Sequence, residues 1–574
     1  MAPLSRYLAS LLSLQPALGS PLHPPHHQPG HLGAVASESS ICSNIGTELL
    51  KCGGNAADAL VGTTFCIGVI GMYHSGIGGG GFMLVRGSNG SYEFIDFRET
   101  APAAGFEDMY KDNVNASIYG GLASGVPGEL RGLHHLHTNY GKLPWHEVME
   151  PAIKVARYGF PVTEDLVRYM ASAIAGIDNF LVNDPTWAID FAPNGTLLTL
   201  NETITRKRYA DTLEKIAVHG PDVFYTGKMA KETIAALTKA NGTMTLEDLK
   251  KYTVAIRKPA QITYRGYKLT STSAPSSGGV ALSVMKIVEG FGDFGTPETV
   301  NLSTHRLDEA IRWGYGERAL LGDPYFTEGL QAYEDDMLSD ATAASIRAKI
   351  SDSTTHNVSW YDPDGLESLE TPGTSHIVTA DHTGMACSLT TTVNLLFGSH
   401  VMVPETGVIM KTVLKLTAKN NEMNDFSIPG ISNAFGFLPS PINFVKPGKR
   451  PLSSITPTIV EHLSNGKLYL ALGAAGGSRI ITATIQNLWH VLDSGLTTPE
   501  ALAEPRLHDQ LVPYTVSFEY AYDNSTVEFM KERGHNVSWV GPGQSTAQAL
   551  RVLSNGTFEA AGEPRQKNSG GFAV

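Results

Sequence analysis

The sequence predicts a layered α+β fold, and three features of the chain lead to this prediction. Residues 128–350 alternate amphipathic helical windows, such as 145–158 and 304–322, with turns. From Ser375 onward the segments are richer in strand-forming residues. The order of strands and helices follows no strict strand–helix–strand rhythm, and no segment repeats. This mixed order favours separate layers of sheet and helix over a doubly wound parallel sheet.

Two helices and two strands are expected near the start of the folded region. The first helix covers 39–51 and ends at a pair of glycines. A second helix begins after Asn55, whose side chain can cap it, and Asp58 in its first turn favours the start. Strands are expected over 82–86 and 92–97, because both segments are apolar and bounded by turn residues.

Composition excludes several classes of protein. The hydrophobic fraction of 42% among 574 residues is ordinary for a globular protein and leaves material for a large core. The net charge of −13 arises from mixed signs spread along the chain. Because there is no basic stripe, no nucleic-acid partner is expected. The apolar stretch 59–73 contains threonines and glycines and fits a buried helix, so no membrane span is expected.

The N-terminus has the pattern of a signal peptide over residues 1–19. Arg6 precedes a short apolar run, and Ala17-Leu18-Gly19 offers small residues at a cleavage site. Residues 20–35, rich in proline and histidine, are expected to form a disordered leader. The chain is therefore expected to be secreted to the medium or, alternatively, delivered to a vacuole.

Glycosylation acceptors support the secretory pathway. Asn-x-Ser/Thr sequences, which accept N-linked glycans in that pathway, occur at Asn89, Asn115, Asn194, Asn201, Asn241, Asn301, Asn357, Asn524, Asn536 and Asn555. A glycoprotein is therefore expected.

The four cysteines are too few for a disulfide scaffold, and none has the spacing of a zinc site. One bridge, such as Cys42 to Cys66, is expected in an oxidising compartment. No metal and no cofactor are expected.

The glycine run 76–81 has two interpretations. A phosphate-binding loop would need a helix N-terminus directly after the glycines, but a strand is predicted there and no Gly-Lys-Ser/Thr follows. A tight turn that packs backbone against backbone is therefore favoured.

The segment 374–394 is predicted to form a β-hairpin around Asp381-His382-Thr383-Gly384. With a two-residue loop, Thr374 faces Thr391. A shift of one residue would place Thr390 or Thr392 opposite instead. In each register a cluster of hydroxyl groups lies beside Thr374, although threonines are also common in strands without any catalytic role.

Several blocks in this order resemble the γ-glutamyltranspeptidase family, from about residue 36 to the C-terminus. Each block alone is weak, but their number and order are specific. They are Gly53-Gly54-Asn55-Ala56-Ala57-Asp58-Ala59, the glycine run into Phe82, Asp96-Phe97-Arg98-Glu99, Leu122-Ala123-Ser124-Gly125-Val126-Pro127-Gly128, Pro275-Ser276-Ser277-Gly278-Gly279, Thr374-Ser375-His376, Lys449-Arg450-Pro451-Leu452-Ser453-Ser454 and Gly473-Ala474-Ala475-Gly476-Gly477-Ser478-Arg479.

The resemblance implies an α+β fold of the N-terminal-nucleophile hydrolases, a four-layer αββα sandwich shared by two interlocked fragments of one precursor. The precursor of this family cuts itself before the threonine that matches Thr374. The resemblance thus implies a large fragment, 36–373, and a small fragment, 374–574. The freed α-amine of Thr374 would act as base for its own hydroxyl, because an α-amine titrates near about 7.7–8.0.

The resemblance also assigns roles to the other site residues. Thr392 matches a threonine that supports the nucleophile, and Gly476 and Gly477 match the pair whose N–H groups face the oxyanion. Arg98 matches the arginine that holds the substrate α-carboxylate, a task suited to a bidentate guanidinium. The remaining positions bind the same amino-acid head: Ser453 and Ser454 at the carboxylate, and Glu422, Asp425 and Asn394 at the α-ammonium.

One departure from the family pattern lies beside these residues. The family runs from a short apolar strand, here 407–410, almost directly into Asn420-Asn421-Glu422, whereas this chain inserts 411–419. The three lysines of the insert predict a surface bulge, because they are costly to bury unpaired. Further on, Phe435 matches an aromatic lid, which without a hydroxyl would act by excluding water.

The implied activity is γ-glutamyl transfer and glutathione hydrolysis, with a γ-glutamyl ester on Thr374 as intermediate. Donors would be glutathione and other γ-glutamyl compounds, and acceptors would be water, amino acids or dipeptides. The large and small fragments of the same chain would be each other's partners. Two alternatives are a related acylase that acts on another amide, and a processed but inactive protein in which the insert displaces Glu422 and Asp425.

Overall fold

The computed structural model describes residues 30–366, 373–411, 425–430 and 438–574. The strands of this part are, in chain order, β1 (Gly33–Ser37), β2 (Gly80–Arg86), β3 (Tyr92–Asp96), β4 (Phe160–Pro161), β5 (Thr203–Ile204), β6 (Ala255–Arg257), β7 (Ala260–Tyr264), β8 (Tyr267–Ser271), β9 (Ser375–Asp381), β10 (Ala386–Thr392), β11 (Thr458–His462), β12 (Leu468–Ala475), β13 (Leu507–His508), β14 (Val516–Glu519), β15 (Val537–Val540), β16 (Thr546–Val552), β17 (Phe558–Ala561) and β18 (Gly570–Ala573).

The α-helices are α1 (Ser40–Lys51), α2 (Ala56–Ile70), α3 (Glu129–Tyr140), α4 (Trp145–Tyr158), α5 (Glu164–Ala173), α6 (Phe180–Asn183), α7 (Pro185–Phe191), α8 (Lys207–His219), α9 (Asp222–Tyr225), α10 (Gly227–Lys239), α11 (Leu246–Lys251), α12 (Gly278–Glu289), α13 (Val300–Arg318), α14 (Leu330–Met337), α15 (Asp340–Arg347), α16 (Val358–Tyr361), α17 (Arg479–Leu492), α18 (Thr498–Ala503) and α19 (Asn524–Glu532). Short 3₁₀ turns cover Val114–Ser117, Gly121–Ala123, Pro297–Thr299 and Pro441–Asn443. No described helix is both long and apolar enough to cross a membrane.

Two antiparallel sheets form the centre of the fold. The first has the strand order β18-β1-β9-β10-β2-β3-β6, and the second has the order β17-β16-β12-β11-β8-β7. Helices α1 and α2 pack on the first sheet, α12 and α17 pack on the second, and β9 and β10 contact β12 across the gap. The arrangement is helix, sheet, sheet, helix, which confirms the predicted αββα sandwich.

Alternation along the strands builds two apolar cores. In β2, Phe82 and Leu84 face the second sheet and belong to the core between the sheets. Met83 and Val85 point to the other face, where they meet the core around α2. Because successive side chains of a strand point to opposite faces, one apolar strand contributes to both cores.

The helix predictions are confirmed where local signals are strong. Asn55 caps α2 by accepting from the N–H groups of Ala57 and Asp58, and the Asp58 side chain completes the capping box. Helix α4 has the predicted bounds. Helix α13 instead runs four residues earlier than predicted, over 300–318, because a 3₁₀ turn at Pro297–Thr299 leads directly into it.

The hairpin β9–β10 lies in the middle of the first sheet, between β1 and β2. Strand β18 pairs with the other edge of β1, so the C-terminus closes the same sheet. A cut before Thr374 would therefore leave two fragments that share both sheets.

The start of the folded region differs from the prediction. Strand β1 includes 33–35, which were assigned to the leader. These residues are fully buried between β9 and β18, so the folded region begins no later than Gly33. The disulfide Cys42–Cys66 joins α1 to α2 and confirms the expected pairing.

Candidate active site

Thr374 lies directly before β9, and Thr392 is the last residue of β10. Ser375 pairs with Thr391, so the same register places Thr374 opposite Thr392. The loop has three residues, because Asp381 pairs with Met385 and Gly384 takes a left-handed φ of 83°. The predicted two-residue loop was therefore one residue too short. The observed register is the shifted alternative in which Thr392 lies opposite Thr374.

The peptide before Thr374 is held in a defined geometry. Gly373 has a φ of 106°, in the region that favours glycine, and an added Cβ would lie 2.6 Å from Asn394 O. The Thr392 hydroxyl donates to the Gly373 carbonyl oxygen at 2.5 Å and accepts from the Asn394 N–H at 2.6 Å. This contact draws electron density from the carbonyl carbon that self-cleavage would attack.

Thr374 is 7% exposed and lies on a cavity of about 280 Å³. Gly476 lines the same cavity, whereas Gly477 follows it in the turn between β12 and α17. Both glycines have positive φ, 122° and 64°, and an added Cβ on Gly476 would contact Gln544 O at 2.6 Å. The nucleophile candidate and the oxyanion candidate Gly476 therefore face one space.

A second group of predicted residues forms a buried charge cluster. Arg98, 2% exposed, follows β3, and its Nη2 donates to Asp425 Oδ2. Its Nε lies 3.7 Å from Glu99 Oε2. Buried charges are stable only when paired, so the cluster holds a fixed cation beside a fixed anion.

Ser453 and Ser454 join this cluster through a second cation, Arg318. Arg318, at the end of α13, donates to Ser454 Oγ at 3.1 Å and to Ser277 Oγ at 3.1 Å. Burial lowers the pKa of Arg318, and the nearby charge of Asp425 opposes this shift. Ser277 donates to Ser453 O at 2.6 Å, which fixes the loop. Sequence reasoning missed Arg318, since only burial separates it from the other arginines.

The glycine run 76–81 passes between the surroundings of Thr374 and the charge cluster of Arg98. An added Cβ at Gly79 would collide with Thr392 O, and one at Gly80 would collide with Phe97 O and lie 2.9 Å from Glu99 Oε1. Gly80 is also the strand partner of Thr392. Glycine is required there because two backbones pass on either side, which supports the tight turn over the phosphate loop.

The position of Lys411 contradicts the prediction that the insert 411–419 bulges into solvent. It is 1% exposed, its N–H donates to Gly78 O at 3.1 Å, and its Nζ donates to Glu99 Oε2 at 2.5 Å. The prediction assumed that a buried lysine would be unpaired, and the ion pair with Glu99 offsets the free-energy cost of burying its charge. The segment 407–410 is not a strand either, since it has only an isolated bridge from Met402 to Ile409. Residues 412–424, with Glu422, and 431–437, with Phe435, lie outside the described residues.

A carboxylate behind the nucleophile was also missed by the sequence analysis. Glu38, 3% exposed, accepts from Ser375 Oγ at 2.5 Å and from Gln566 Nε2 at 3.0 Å. Its other partner is His74 Nδ1 at 2.9 Å, and His74 lines the cavity of Thr374. The residue after Thr374 is thereby tied to β1 and to the cavity wall. No local signal marks Glu38, because its partners are distant in sequence.

Glu129 supports the other strand of the hairpin. Thr391 Oγ1 donates to Glu129 Oε2, and burial raises the pKa of this carboxyl to about 7. The hydrogen bond from Thr391 and the backbone of Gly76 oppose this shift.

One described cluster has the composition of a metal site. Ligand atoms of His305, Glu309 and His535 lie within 4.8 Å of one another. His305 and His535 are hydrogen-bonded to each other at 2.8 Å, and Glu309 accepts from Tyr361 and Thr355. Protein groups therefore already occupy the Nδ1 of His305, the Nε2 of His535 and the carboxylate of Glu309. The cluster shares no residue with the cavity of Thr374.

Sequence comparisons agree with this geometry. Residues 42–573 match the family model described as Gamma-glutamyltranspeptidase. A glutathione hydrolase proenzyme from Arthroderma benhamiae is 56% identical over 99% of this chain and 97% of its own length. The glutathione hydrolase proenzyme of Escherichia coli is 34% identical over 93% and 90%.

Solved structures are also similar. A cephalosporin acylase from Bacillus halodurans superposes with a TM-score of 0.82 at 26% identity, over 97% of this chain and 98% of that chain. A γ-glutamyltranspeptidase from Helicobacter pylori has a TM-score of 0.52 at 30% identity, over 59% of this chain and 96% of that chain.

Proposed function

Because this chain belongs to the γ-glutamyltranspeptidase family, we propose that it is a glutathione hydrolase and γ-glutamyltransferase that matures by cutting itself before Thr374. The observation that carries the substrate assignment is the buried contact of Arg98 with Asp425. An amino-acid head has a carboxylate and an ammonium on one carbon, so its recognition needs a cation and an anion fixed side by side.

Maturation uses the groups around Gly373. The Thr374 hydroxyl attacks the Gly373 carbonyl carbon, and the peptide becomes an ester as the amide nitrogen takes up a proton. Water then hydrolyses the ester and frees the α-amine of Thr374. The contact from Thr392 to the Gly373 oxygen supports this step, since it stabilises the negative charge that develops there. The products are a large fragment that ends at Gly373 and a small fragment that begins at Thr374.

Catalysis then reuses the same hydroxyl. The free α-amine accepts the proton of Thr374 Oγ as this oxygen attacks the γ-carbonyl carbon of the donor. N–H groups of Gly476 and Gly477 stabilise the oxyanion, and the amine of the leaving group takes the proton. Water or an amino acid or dipeptide then attacks the γ-glutamyl ester and restores Thr374. Phe435, which lies outside the described residues, is proposed as the lid residue because of the family resemblance.

The remaining residues orient the amino-acid head. Arg98 holds the α-carboxylate, with Ser453 and Ser454 as further donors. The α-ammonium is bound by Asp425, Glu422 and Asn394. The ammonium would be bound by the amide oxygen of Asn394, since only an acceptor can bind an ammonium. The buried Nδ2 of Asn394 has no hydrogen-bond partner among the described residues and is a donor for a carboxylate oxygen of the same head.

We also infer that the chain enters the secretory pathway through a signal peptide at 1–19 and becomes glycosylated, for export or for a vacuole. The disulfide between Cys42 and Cys66 supports an oxidising compartment. Of the ten acceptor asparagines, all are exposed except Asn301, which is half-exposed. Treatment with an N-glycosidase should lower the apparent mass of the protein from its native host. An unchanged mass would exclude glycosylation.

The decisive experiment combines processing with turnover. Purified wild type is analysed by intact mass and assayed with γ-glutamyl-p-nitroanilide and with glutathione. We expect two fragments and release of both p-nitroaniline and glutamate. Fully cut protein that releases neither product would contradict the proposed activity. The matched control Thr383→Ala, in the hairpin turn, should be cut and active.

A further inference from the structure

His74 is attached to both ends of the hairpin β9–β10, which begins directly after Thr374. Its carbonyl oxygen accepts from the N–H of Val393, the residue after β10, at 2.7 Å. Its Nδ1 lies 2.9 Å from Glu38 Oε2, and Glu38 Oε1 accepts from Ser375 Oγ. His74 and Thr374 also line the same cavity of about 280 Å³. The imidazole is therefore part of the wall that a molecule beside the nucleophile would contact.

The contacts of Glu38 determine which nitrogen of His74 carries the proton. Ser375 Oγ, Gln566 Nε2 and His74 Nδ1 all lie within hydrogen-bonding distance of this carboxylate. An ionised carboxylate only accepts hydrogen bonds, so Nδ1 must donate, and Nε2 of the neutral ring is left as an acceptor. No group in the described part of the chain hydrogen-bonds this Nε2. Its lone pair is therefore available to a molecule in the cavity.

The surroundings fix the direction of the imidazole and its charge. Tyr73 and Tyr169 contact the ring edge-to-face, with centroid distances of 4.6 Å and 4.4 Å. None of the described residues that line the cavity is an aspartate, glutamate, lysine or arginine. Asp165 and Arg168, which lie behind the wall, form an ion pair at 3.2 Å and neutralise each other. The unbalanced charge behind the imidazole is thus the negative charge of Glu38.

The same cavity receives the part of the donor beyond the γ-carbonyl group. The proposed function, on which this inference rests, places the amino-acid head at the cluster of Arg98. The glycine run 76–81 passes between that cluster and Thr374. The leaving group therefore lies on the opposite side of Thr374, where Gly476 and His74 line the cavity. An acceptor must enter this space too, because it attacks the same carbonyl carbon.

We propose that His74 is a specificity-determining residue for the acceptor, whose Nε2 accepts an N–H hydrogen bond from the attacking amine and so favours transfer over hydrolysis. This contact leaves the nitrogen lone pair free to form the new C–N bond. The ester C–O bond then breaks, and the surplus proton of the nitrogen ends on the Thr374 oxygen.

The negative charge of Glu38 explains why an amine is favoured over water. The nitrogen becomes positively charged as it attacks, and the carboxylate behind the imidazole stabilises that charge. An acceptor amine also arrives largely as an ammonium at pH 7, because α-amines titrate near about 7.7–8.0. The carboxylate attracts this cation and does not attract water.

The test supplies γ-glutamyl-p-nitroanilide and glycylglycine and measures the ratio of γ-glutamyl-glycylglycine to glutamate. Both products come from the same ester on Thr374, so the ratio does not depend on how fast the ester forms. His74→Asn keeps a donor for Glu38 but is too short to offer an acceptor at the place of Nε2. In Glu38→Gln the new amide can donate to Nδ1, which leaves Nε2 as an N–H. The control is His135→Gln, since His135 pairs with Glu93 outside the cavity.

His74→Asn and Glu38→Gln should each lower the ratio of transfer to hydrolysis by about tenfold and raise the KM of glycylglycine, and His135→Gln should change neither. A purely structural role of His74 would slow formation of the ester and leave the ratio unchanged, which overturns the inference. Wild type that forms glutamate but no transfer product overturns it as well. If His74→Asn is not cut, Glu38→Gln decides in the same way. Fully cut wild type that releases no p-nitroaniline refutes the proposed function, and this inference with it.

Discussion

The hydroxyl of Thr392 donates a 2.5 Å hydrogen bond to the carbonyl oxygen of Gly373, the residue directly before Thr374. In Thr392→Val the shape of the side chain remains but the donor is lost. We expect self-cleavage to slow by about tenfold to a hundredfold, the equivalent of roughly 1.5–3 kcal/mol for a contact to a developing charge. The rate of appearance of the small fragment measures this, and Thr392→Ser should cut at nearly the wild-type rate. Equal rates for valine and serine would show that the hydroxyl has no role.

Thr374→Ala should remain one uncut chain of full length, because the attacking hydroxyl is absent. Wild type should instead yield a fragment of 201 residues, 374–574. N-terminal sequencing of this fragment checks the assignment, and a first residue other than threonine would disprove it.

Arg98→Lys should weaken donor binding by about 1.5–3 kcal/mol, seen mainly as a higher KM, because lysine keeps the charge but loses the planar fork. The matched control is Arg157→Lys, an arginine that pairs with Asp211 and Glu214 on the surface. Its kinetics should not change. Identical KM values for both variants would show that Arg98 does not contact the donor.

Glu129→Gln should alter the pH dependence of stability. Burial raises the pKa of Glu129 from its ordinary value near 4.5 to about 7. The folded state therefore binds a proton that the unfolded state has lost, so wild type loses stability as pH rises from about 4.5 to about 7. Over this window the free energy of unfolding of Glu129→Gln should rise relative to wild type by on the order of 2 kcal/mol.

Both proteins in that comparison should carry Thr374→Ala, so that each unfolds as one chain. Denaturant unfolding at pH 4.5 and pH 7.5 provides the measurement. Glu532→Gln, at an exposed position, is the control and should show no such change. A difference between wild type and Glu129→Gln that stays constant with pH would mean that folding does not raise the pKa of Glu129.

The hairpin shows how far sequence reasoning reached. Two β-branched runs around Asp381 and Gly384 were enough to predict the strands and the cluster of hydroxyls beside Thr374. The register was wrong by one residue, because loop length depends on the left-handed conformation of Gly384 and on the pairing of Asp381 with Met385. A two-residue loop and a three-residue loop are both compatible with the sequence of this turn.

The sequence by itself determined the features that depend on neighbouring residues. These are the capping box at Asn55, the helix over 145–158, the ordered family blocks and, through them, the sandwich fold. Only the tertiary structure decided which charges meet. Lys411 finds Glu99 across 312 positions and Ser375 finds Glu38 across 337. Whether a lysine lies in solvent or in a buried ion pair depends on a partner that no local pattern specifies. Burying the lysine is favourable only after the fold has brought the two distant segments of the chain together.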